Sequence, residues 1–325
     1  MDKDIILIGN PIAGGGALRK IKKAVLILEN KGFKVRLFLT AKKGDAQFFA
    51  ERIASDTSLV HAPTLVIAAG GDGTYNEIAN GLAYSNIPMA ILPLGTTSVL
   101  AKELNIREDI ESALQIALHG KRQTIHMGKI TFTEDRGQKT EDRGQRTEDR
   151  VKSRPLSDPN CSLVTRYFIL MAGIGFDAEA VLNVNERIKK ISGKFAYILS
   201  GIRALINYNP SQILLRFDSN EISGYNAIIG KASCYGGNFK ITPDASLKDP
   251  NFYVFLMHKK GRINLIREAF SIILKKTRIH SEDVSYFKSN KIEIDGDAPI
   301  QIDGDYIGRL PAKLEIVTDA LKLIY

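Results

Sequence analysis

The run Gly70-Gly71-Asp72-Gly73-Thr74 puts together residue types that can do chemistry as a group. Its glycines let a backbone turn sharply and approach a ligand with no Cβ in the way. Leu65 to Ala69 before it read as a buried strand, and Ile78 and Leu82 after it share one helix face. A strand, a glycine turn and a helix N-terminus direct N–H groups at one point, which suits an anion such as phosphate. Asp72 is the discordant member, because a carboxylate repels phosphate unless a divalent cation lies between them. The stretch therefore predicts a nucleotide site with Mg²⁺, with Asp72 on the metal side. The plain alternative is a tight turn in which Asp72 only caps the helix.

Two more turns of this kind follow strand-like runs. Ile5 to Ile8 leads into Gly9-Asn10-Pro11-Ile12-Ala13-Gly14-Gly15-Gly16, and Met89 to Leu92 leads into Pro93-Leu94-Gly95-Thr96-Thr97-Ser98. Ile21, Val25 and Leu28 mark a helix ending near Gly32, and Val35 to Leu39 a strand stopping at Thr40. Gly44 opens a helix carrying Phe48, Phe49 and Ile53, and Asp109 starts another that closes at Gly120. Strands alternating with helices predict a doubly wound, parallel α/β domain over residues 1–125. Ligands of such sheets bind beyond the carboxyl ends of the strands, so turns 9–16, 70–74 and 95–98 should line one crevice. None of the three fits GxxxxGK[ST] or GxGxxG in the required frame, which sets aside the P-loop and the dinucleotide fingerprint.

Near His126 the pattern changes to short β-branched and aromatic segments: 129–133, 166–172, 213–217, 226–233, 252–258, 291–294 and 300–302. They predict an antiparallel, sandwich-like β domain over residues 126–325, with helices at 178–190, 195–206 and 263–274. The final strand is a candidate to return to the first domain. From Thr133 to Arg150 one seven-residue unit, Thr-Glu-Asp-Arg-Gly-Gln-Lys/Arg, is written nearly three times with no apolar residue. It cannot bury surface, so residues 133–160 are expected to be a disordered insertion at a hairpin tip.

The net charge of +9 over 325 residues favours an anionic partner: nucleic acid, an anionic membrane surface or a phosphorylated small molecule. Nucleic acid fits poorly, since the clusters Lys189-Lys190, Lys259-Lys260 and Lys275-Lys276 are not interleaved with stacking aromatics. Cys161 and Cys234 lie far apart without CxxC spacing, which supports neither a disulfide framework nor a zinc site. The start of the chain lacks the basic and apolar regions of a signal peptide, and no apolar run reaches membrane-spanning length. The expectation is a cytoplasmic protein with only peripheral membrane contact.

These pieces, taken in order, resemble the diacylglycerol kinase catalytic-domain family of lipid kinases, which includes bacterial lipid kinases and sphingosine kinases. The matching residues are Asn10-Pro11 with Gly14, Thr40, Gly70 to Thr74 with Asn76-Glu77, and Leu92-Pro93-Leu94-Gly95-Thr96. They continue through Ala172-Gly173-Ile174-Gly175-Phe176-Asp177, Tyr235-Gly236-Gly237 with Pro243-Asp244-Ala245, and Gln301-Ile302-Asp303-Gly304-Asp305. The resemblance implies phosphorylation of a lipid hydroxyl by ATP with Mg²⁺, at a membrane surface. It also implies nucleotide contacts from Asn10, Pro11, Gly14, Thr40, the residues Gly70, Gly71, Asp72, Gly73, Thr74, Asn76 and Glu77, and from Gly95, Thr96 and Ser98. Asp72 would lie near the metal. Asp305 would be the general base, with Asp303 beside it in the catalytic set, and Asp177 would face the substrate cleft unless it merely caps a helix.

Three departures from the family pattern bear on these roles. Asp305 stands where the family has Glu, one methylene longer, and Ser98 stands where it has Asn. The family's second, structural Mg²⁺ would lie in segment 244–251, where Lys248 would compete with a cation, so that site is expected to be weak or absent. The leading reading is an active lipid kinase. Its alternatives are a catalytically weak lipid- and nucleotide-binding member of the fold, for which Asp305→Glu should raise activity, and a kinase of soluble substrates related to NAD kinases. The identity of the lipid is not encoded in these motifs, and a homodimer is left open.

Overall fold

The computed structural model describes residues 4–55, 65–95, 98–133, 162–182, 209–237, 239–261, 263–267 and 281–325. The heptad repeat, Thr96, all of the helix expected at 195–206 and most of those expected at 178–190 and 263–274 lie outside these residues.

The N-terminal half alternates as the apolar runs require. Strands β1 (Asp4–Gly9), β2 (Lys34–Leu39), β3 (Leu65–Gly70) and β4 (Met89–Pro93) pair in parallel in the order β2-β1-β3-β4. Strands β3 and β4 are buried along their whole length, as strands covered on both faces must be. Helices α1 (Ala17–Asn30), α2 (Asp45–Ser55), α3 (Asp72–Leu82), α4 (Val99–Glu103) and α5 (Ile110–His119) link them. The Asp109 side chain accepts the Ser112 N–H at 2.8 Å and caps α5, as its position before the apolar run predicts.

Past α5 the chain becomes antiparallel β. Strand β5 (Arg122–Thr133) pairs with β6 (Leu163–Phe168) and along β18 (Ala312–Ile324). Strand β18 also pairs in parallel with β4 through Leu323 and Met89, so one ten-stranded sheet runs through both halves of the chain. The other large sheet, in the order β14-β13-β10-β7-β16-β17, packs a second apolar core built on Ile174, Ile229, Val254 and Ile300. It uses β7 (Met171–Ile174), β10 (Asn226–Gly230), β13 (Phe252–Met257), β14 (Val284–Ser289), β16 (Pro299–Ile302) and β17 (Asp305–Arg309).

The segment 166–172, expected to be one strand, is two. Strand β6 ends at Phe168 in the first sheet, and β7 begins at Met171 in the second. The break at Ile169 and Leu170 has a cause in the site, because the N–H groups of Ile169, Leu170 and Met171 all turn to the Asp303 carboxylate.

Candidate active site

The three glycine turns meet at the carboxyl ends of β1, β3 and β4. The Gly70 carbonyl accepts the N–H of Leu94 at 2.8 Å and of Gly95 at 3.1 Å. The Asn10 N–H donates to the Ala69 carbonyl at 2.9 Å, and the Thr40 N–H to the Gly9 carbonyl at 2.9 Å. A Cβ on Gly14 would come within 2.5 Å of the Leu94 carbonyl oxygen, so the first and third turns touch backbone to backbone only because glycine stands there. Tyr75 supports the floor from beneath: it is fully buried and its hydroxyl donates to the Gly70 carbonyl at 2.7 Å. Asn10, Pro11, Gly14, Thr40, Gly71 and Gly95 are half-buried and Gly73 is exposed. Of these, Gly14, Gly71 and Gly73, with the first turn of α3, can present N–H groups to an anion; the Asn10, Thr40 and Gly95 N–H groups are spent on backbone carbonyls and Pro11 has none.

The polar side chains of the same motifs have other work. Asp72, expected at the metal, accepts the Val99 N–H at 2.9 Å and the Leu100 N–H at 3.0 Å, one on each oxygen. It thereby satisfies two of the donors that the start of α4 leaves without helical partners. It caps a helix, but α4 and not its own. Burial pushes its carboxyl above the ordinary value, against the pull of these two N–H groups and the nearby Lys102 charge. Ser98, expected at the nucleotide, is fully buried and accepts the Ala101 N–H at 3.2 Å as the N-cap of α4. Thr74 is buried against Gly70.

Asn76 and Glu77, also expected at the nucleotide, instead tie α3 to two other elements. Asn76 Nδ2 donates to Asp303 Oδ2 at 2.7 Å and to the Tyr167 carbonyl at 3.1 Å, while its Oδ1 accepts Asn80 Nδ2 at 3.0 Å. Asn80 completes the grip on β6, accepting the Tyr167 N–H at 3.1 Å. Glu77 accepts the N–H groups of Gly44 at 3.0 Å and Ala46 at 3.2 Å, which fixes the loop from Thr40 and the start of α2.

Asp303, expected in the catalytic set, spends its carboxylate on the protein in this setting. Its carboxylate is enclosed and accepts Ile169 at 2.8 Å, Leu170 at 2.9 Å and Met171 at 2.9 Å, besides Asn76. Burial raises its carboxyl to about 6 despite these four donors. Asp303 and Gly304 form the two-residue loop between β16 and β17 with φ of 47° and 87°, the positive pair that an Asp-Gly hairpin turn supplies. Gln301 braces the turn from behind: its Oε1 accepts the Gly304 N–H at 2.8 Å and its Nε2 donates to Asp177 at 2.5 Å. Asp177, expected in the substrate cleft or as a helix cap, is enclosed within helix α6 (Phe176–Leu182) and also accepts the Tyr235 hydroxyl. Burial holds its carboxyl above the ordinary value against both of these hydrogen bonds.

With Asp303 and Asp177 consumed in this support, Asp305 is the turn's accessible carboxylate, its side chain 43% exposed. It reaches across to the nucleotide half, where Lys43 Nζ lies 3.0 Å from its Oδ2. Lys43 belongs to the loop that Glu77 secures. Asp45, five residues after Thr40, also holds this loop, its Oδ2 accepting the N–H groups of Ala41 at 2.8 Å and Lys42 at 2.9 Å. Helix α3 therefore positions both partners of this pair, through Asn76 on one side and Glu77 on the other. Lys43, Gln301, Tyr75 and Asn80 were not marked as functional by the sequence. The signals of Lys43, Asn80 and the Gln301–Asp177 contact are long-range, because only the fold brings these partners together; Tyr75 acts locally, on Gly70 five residues before it.

Among the described residues no three His, Cys, Asp or Glu side chains converge on a point that could hold a metal. Asp72, at the glycine turns, is a carboxylate there that could face a divalent ion, with both of its oxygens already accepting α4 N–H groups.

Comparison with known proteins follows the same division of the chain. Residues 4–130 match the family model of the diacylglycerol kinase catalytic domain, and residues 171–325 that of the YegS C-terminal NAD kinase beta sandwich-like domain. A diacylglycerol kinase of Bacillus subtilis is 29% identical over 315 residues, covering 94% of this chain and 91% of its own. One from Staphylococcus epidermidis is 28% identical over 319 residues, covering 96% and 89%. The crystal structure of a diacylglycerol kinase from Bacillus anthracis superposes with a TM-score of 0.71 at 22% identity, covering 99% of this chain and 97% of that one. At that identity the superposition establishes a shared fold.

Proposed function

The chain belongs to the diacylglycerol kinase catalytic-domain family, and we propose that it transfers the γ-phosphate of ATP to a lipid hydroxyl, with diacylglycerol the first candidate acceptor. The observation that carries this reading is the Asp305 carboxylate. It stands on a braced turn of the β half, paired with a lysine of the loop that follows Thr40 in the α/β half. Phosphoryl transfer asks mainly for positioning and charge neutralisation. The turns at 9–16 and 70–74 cradle the phosphates with backbone N–H groups, and the turn at 94–95, whose own N–H groups are spent on the Gly70 carbonyl, holds them together. Asp305 accepts the proton of the lipid hydroxyl as the new O–P bond forms and the bond to the ADP oxygen breaks. Lys43 stands where a positive charge can meet the transferred phosphoryl oxygens. Mg²⁺ bound with the nucleotide would supply further charge neutralisation. The lipid is reached at a membrane surface by peripheral contact, in keeping with the net charge of +9 and the lack, among the described residues, of a helix long and apolar enough to cross a membrane.

Incubation with γ-labelled ATP, Mg²⁺ and a total lipid extract should yield a labelled phospholipid, which mass spectrometry would identify. A folded protein that labels no lipid of any class, or that labels only soluble acceptors, would overturn the reading.

A further inference from the structure

The family resemblance carries a structural Mg²⁺ in segment 244–251, and the groups found there do not fit one. Lys231 follows β10 and is fully buried, 0% exposed. Its ammonium donates to the Ser246 carbonyl and, at 2.7 Å, to the Asp249 carbonyl. Carbonyl oxygens from one loop converging on one point are the usual cage of a hard cation. Here an ammonium fills it. The Asp249 carboxylate is turned to other donors, accepting Asn251 Nδ2 at 2.8 Å and the Tyr253 hydroxyl at 2.8 Å. Lys248, the residue expected to compete with a cation, lies elsewhere, 5.7 Å over the Tyr325 ring.

We infer that Lys231 is a tethered cation standing in for the structural metal ion of this loop, so that the loop's order does not depend on a divalent ion. A metal entering the same cage would meet a like charge at contact distance, in surroundings that screen it poorly. Burial lowers the Lys231 ammonium to about 8, against the pull of Asp249 and Glu103, which leaves it charged at neutral pH.

The cage matters because of what it adjoins. The backbone N–H groups of Lys231 and Ala232 both donate to the Leu170 carbonyl, at 2.8 and 2.9 Å. Leu170 is one of the three residues whose N–H groups hold Asp303. On the other side Glu103, at the end of α4, accepts Ser233 and Cys234 N–H groups at 3.1 and 3.0 Å. Within the loop, the Leu247 carbonyl accepts the His126 N–H at 2.9 Å. Lys231 therefore ties the 244–251 loop, which touches β5, to the segment 231–234, which touches both α4 and the brace of the Asp305 turn.

The inference rests on family membership and not on the choice of lipid or on turnover, so its test uses neither. Thermal unfolding of the nucleotide-free protein should give the same Tm, within about 1 °C, in excess EDTA and in millimolar Mg²⁺. Lys231→Met should lower Tm by about 4 °C or more, since it removes two charge-assisted hydrogen bonds, leaving the Asp249 carbonyl without its ammonium donor and the Ser246 carbonyl with only the Asp249 N–H. Lys231→Ala should regain part of its loss in ethylammonium. Mn²⁺ titration followed by electron paramagnetic resonance should find no stoichiometric site in the nucleotide-free parent. A parent Tm that falls on chelation, a tight Mn²⁺ site, or a Lys231→Met protein as stable as the parent would overturn it. If the variants do not fold, the chelation and Mn²⁺ measurements on the parent still decide.

Discussion

Replacing Asn76 by Ala separates the clamp from a nucleotide contact. The substitution removes a 2.7 Å hydrogen bond to the Asp303 carboxylate and a 3.1 Å bond to the Tyr167 carbonyl. A hydrogen bond to a charged acceptor contributes about 1.5–3 kcal/mol and a neutral one about 1 kcal/mol, so the loss should total roughly 3 kcal/mol. In a chain of this size that corresponds to a fall in Tm of about 4–5 °C. Loosening Asp303 also frees Asp305, two residues away, so kcat should fall while the KM for ATP stays near the parent value. The decisive assay is a double-mutant cycle with Asp303→Ala, read by thermal or chemical denaturation. The two changes should be non-additive by about 2 kcal/mol, the worth of the shared bond to a charged acceptor. Additive effects would refute the clamp. So would an Asn76→Ala protein with an unchanged Tm and a raised KM for ATP, which would return Asn76 to the nucleotide.

Three further outcomes follow from the same geometry. Asp72→Ala should lower stability by roughly 2 kcal/mol as well as abolish turnover, because two N–H groups of α4 lose their acceptor; a Tm equal to the parent's would mean that Asp72 acts only at the phosphates. Asp305→Asn should leave Tm within about 1 °C, as expected for a half-exposed ion pair, yet reduce kcat by about 10²-fold or more, and unchanged kcat would remove Asp305 from the proton transfer. Asp303 should titrate near pH 6 in the folded chain, against an ordinary value of 3.8. Since the folded value is the raised one, the folded state holds this proton more tightly, and the contribution of Asp303 to stability falls as pH rises from about 4 to about 6 and is level above. Carbon-detected NMR of labelled aspartate checks this, and an enclosed aspartate still ionised at pH 5 would contradict it.

Much of the fold was legible because its signals are local. Leu65 to Ala69, Ile5 to Ile8 and Met89 to Leu92 are short apolar runs ending in glycine or proline turns, and such runs read as buried strands without knowledge of their neighbours. The boundary errors lie where tertiary contacts override local pattern. Residues 166–172 have the composition of one strand, but three of their N–H groups are claimed by a carboxylate 132 to 134 residues away in the chain, and the strand breaks to deliver them. Strand β18 alternates too irregularly, with polar Thr318 and Asp319 in its middle, for its length and its three partners to be read in advance.

The site shows the complementary limit. A motif reveals that residues act together, but not whether they act on a ligand or on one another. Gly70, Gly71 and Gly73 have no side chain to give, so their effect is on the backbone and can be read from residue type. Asp72, Asn76, Glu77 and Ser98 each offer a polar group with several uses, and each spends it on protein N–H or C=O groups around the crevice. That use is physically favoured, since α2 and α4 begin beside the glycine turns and their first N–H groups need acceptors. Side chains that satisfy those donors hold the backbone of the glycine turns and, through Asn76 and Glu77, the two elements that carry Asp305 and Lys43. The carboxylate left over, on a turn braced by Asp303 and Gln301, is the one whose loss should cost chemistry without costing the fold.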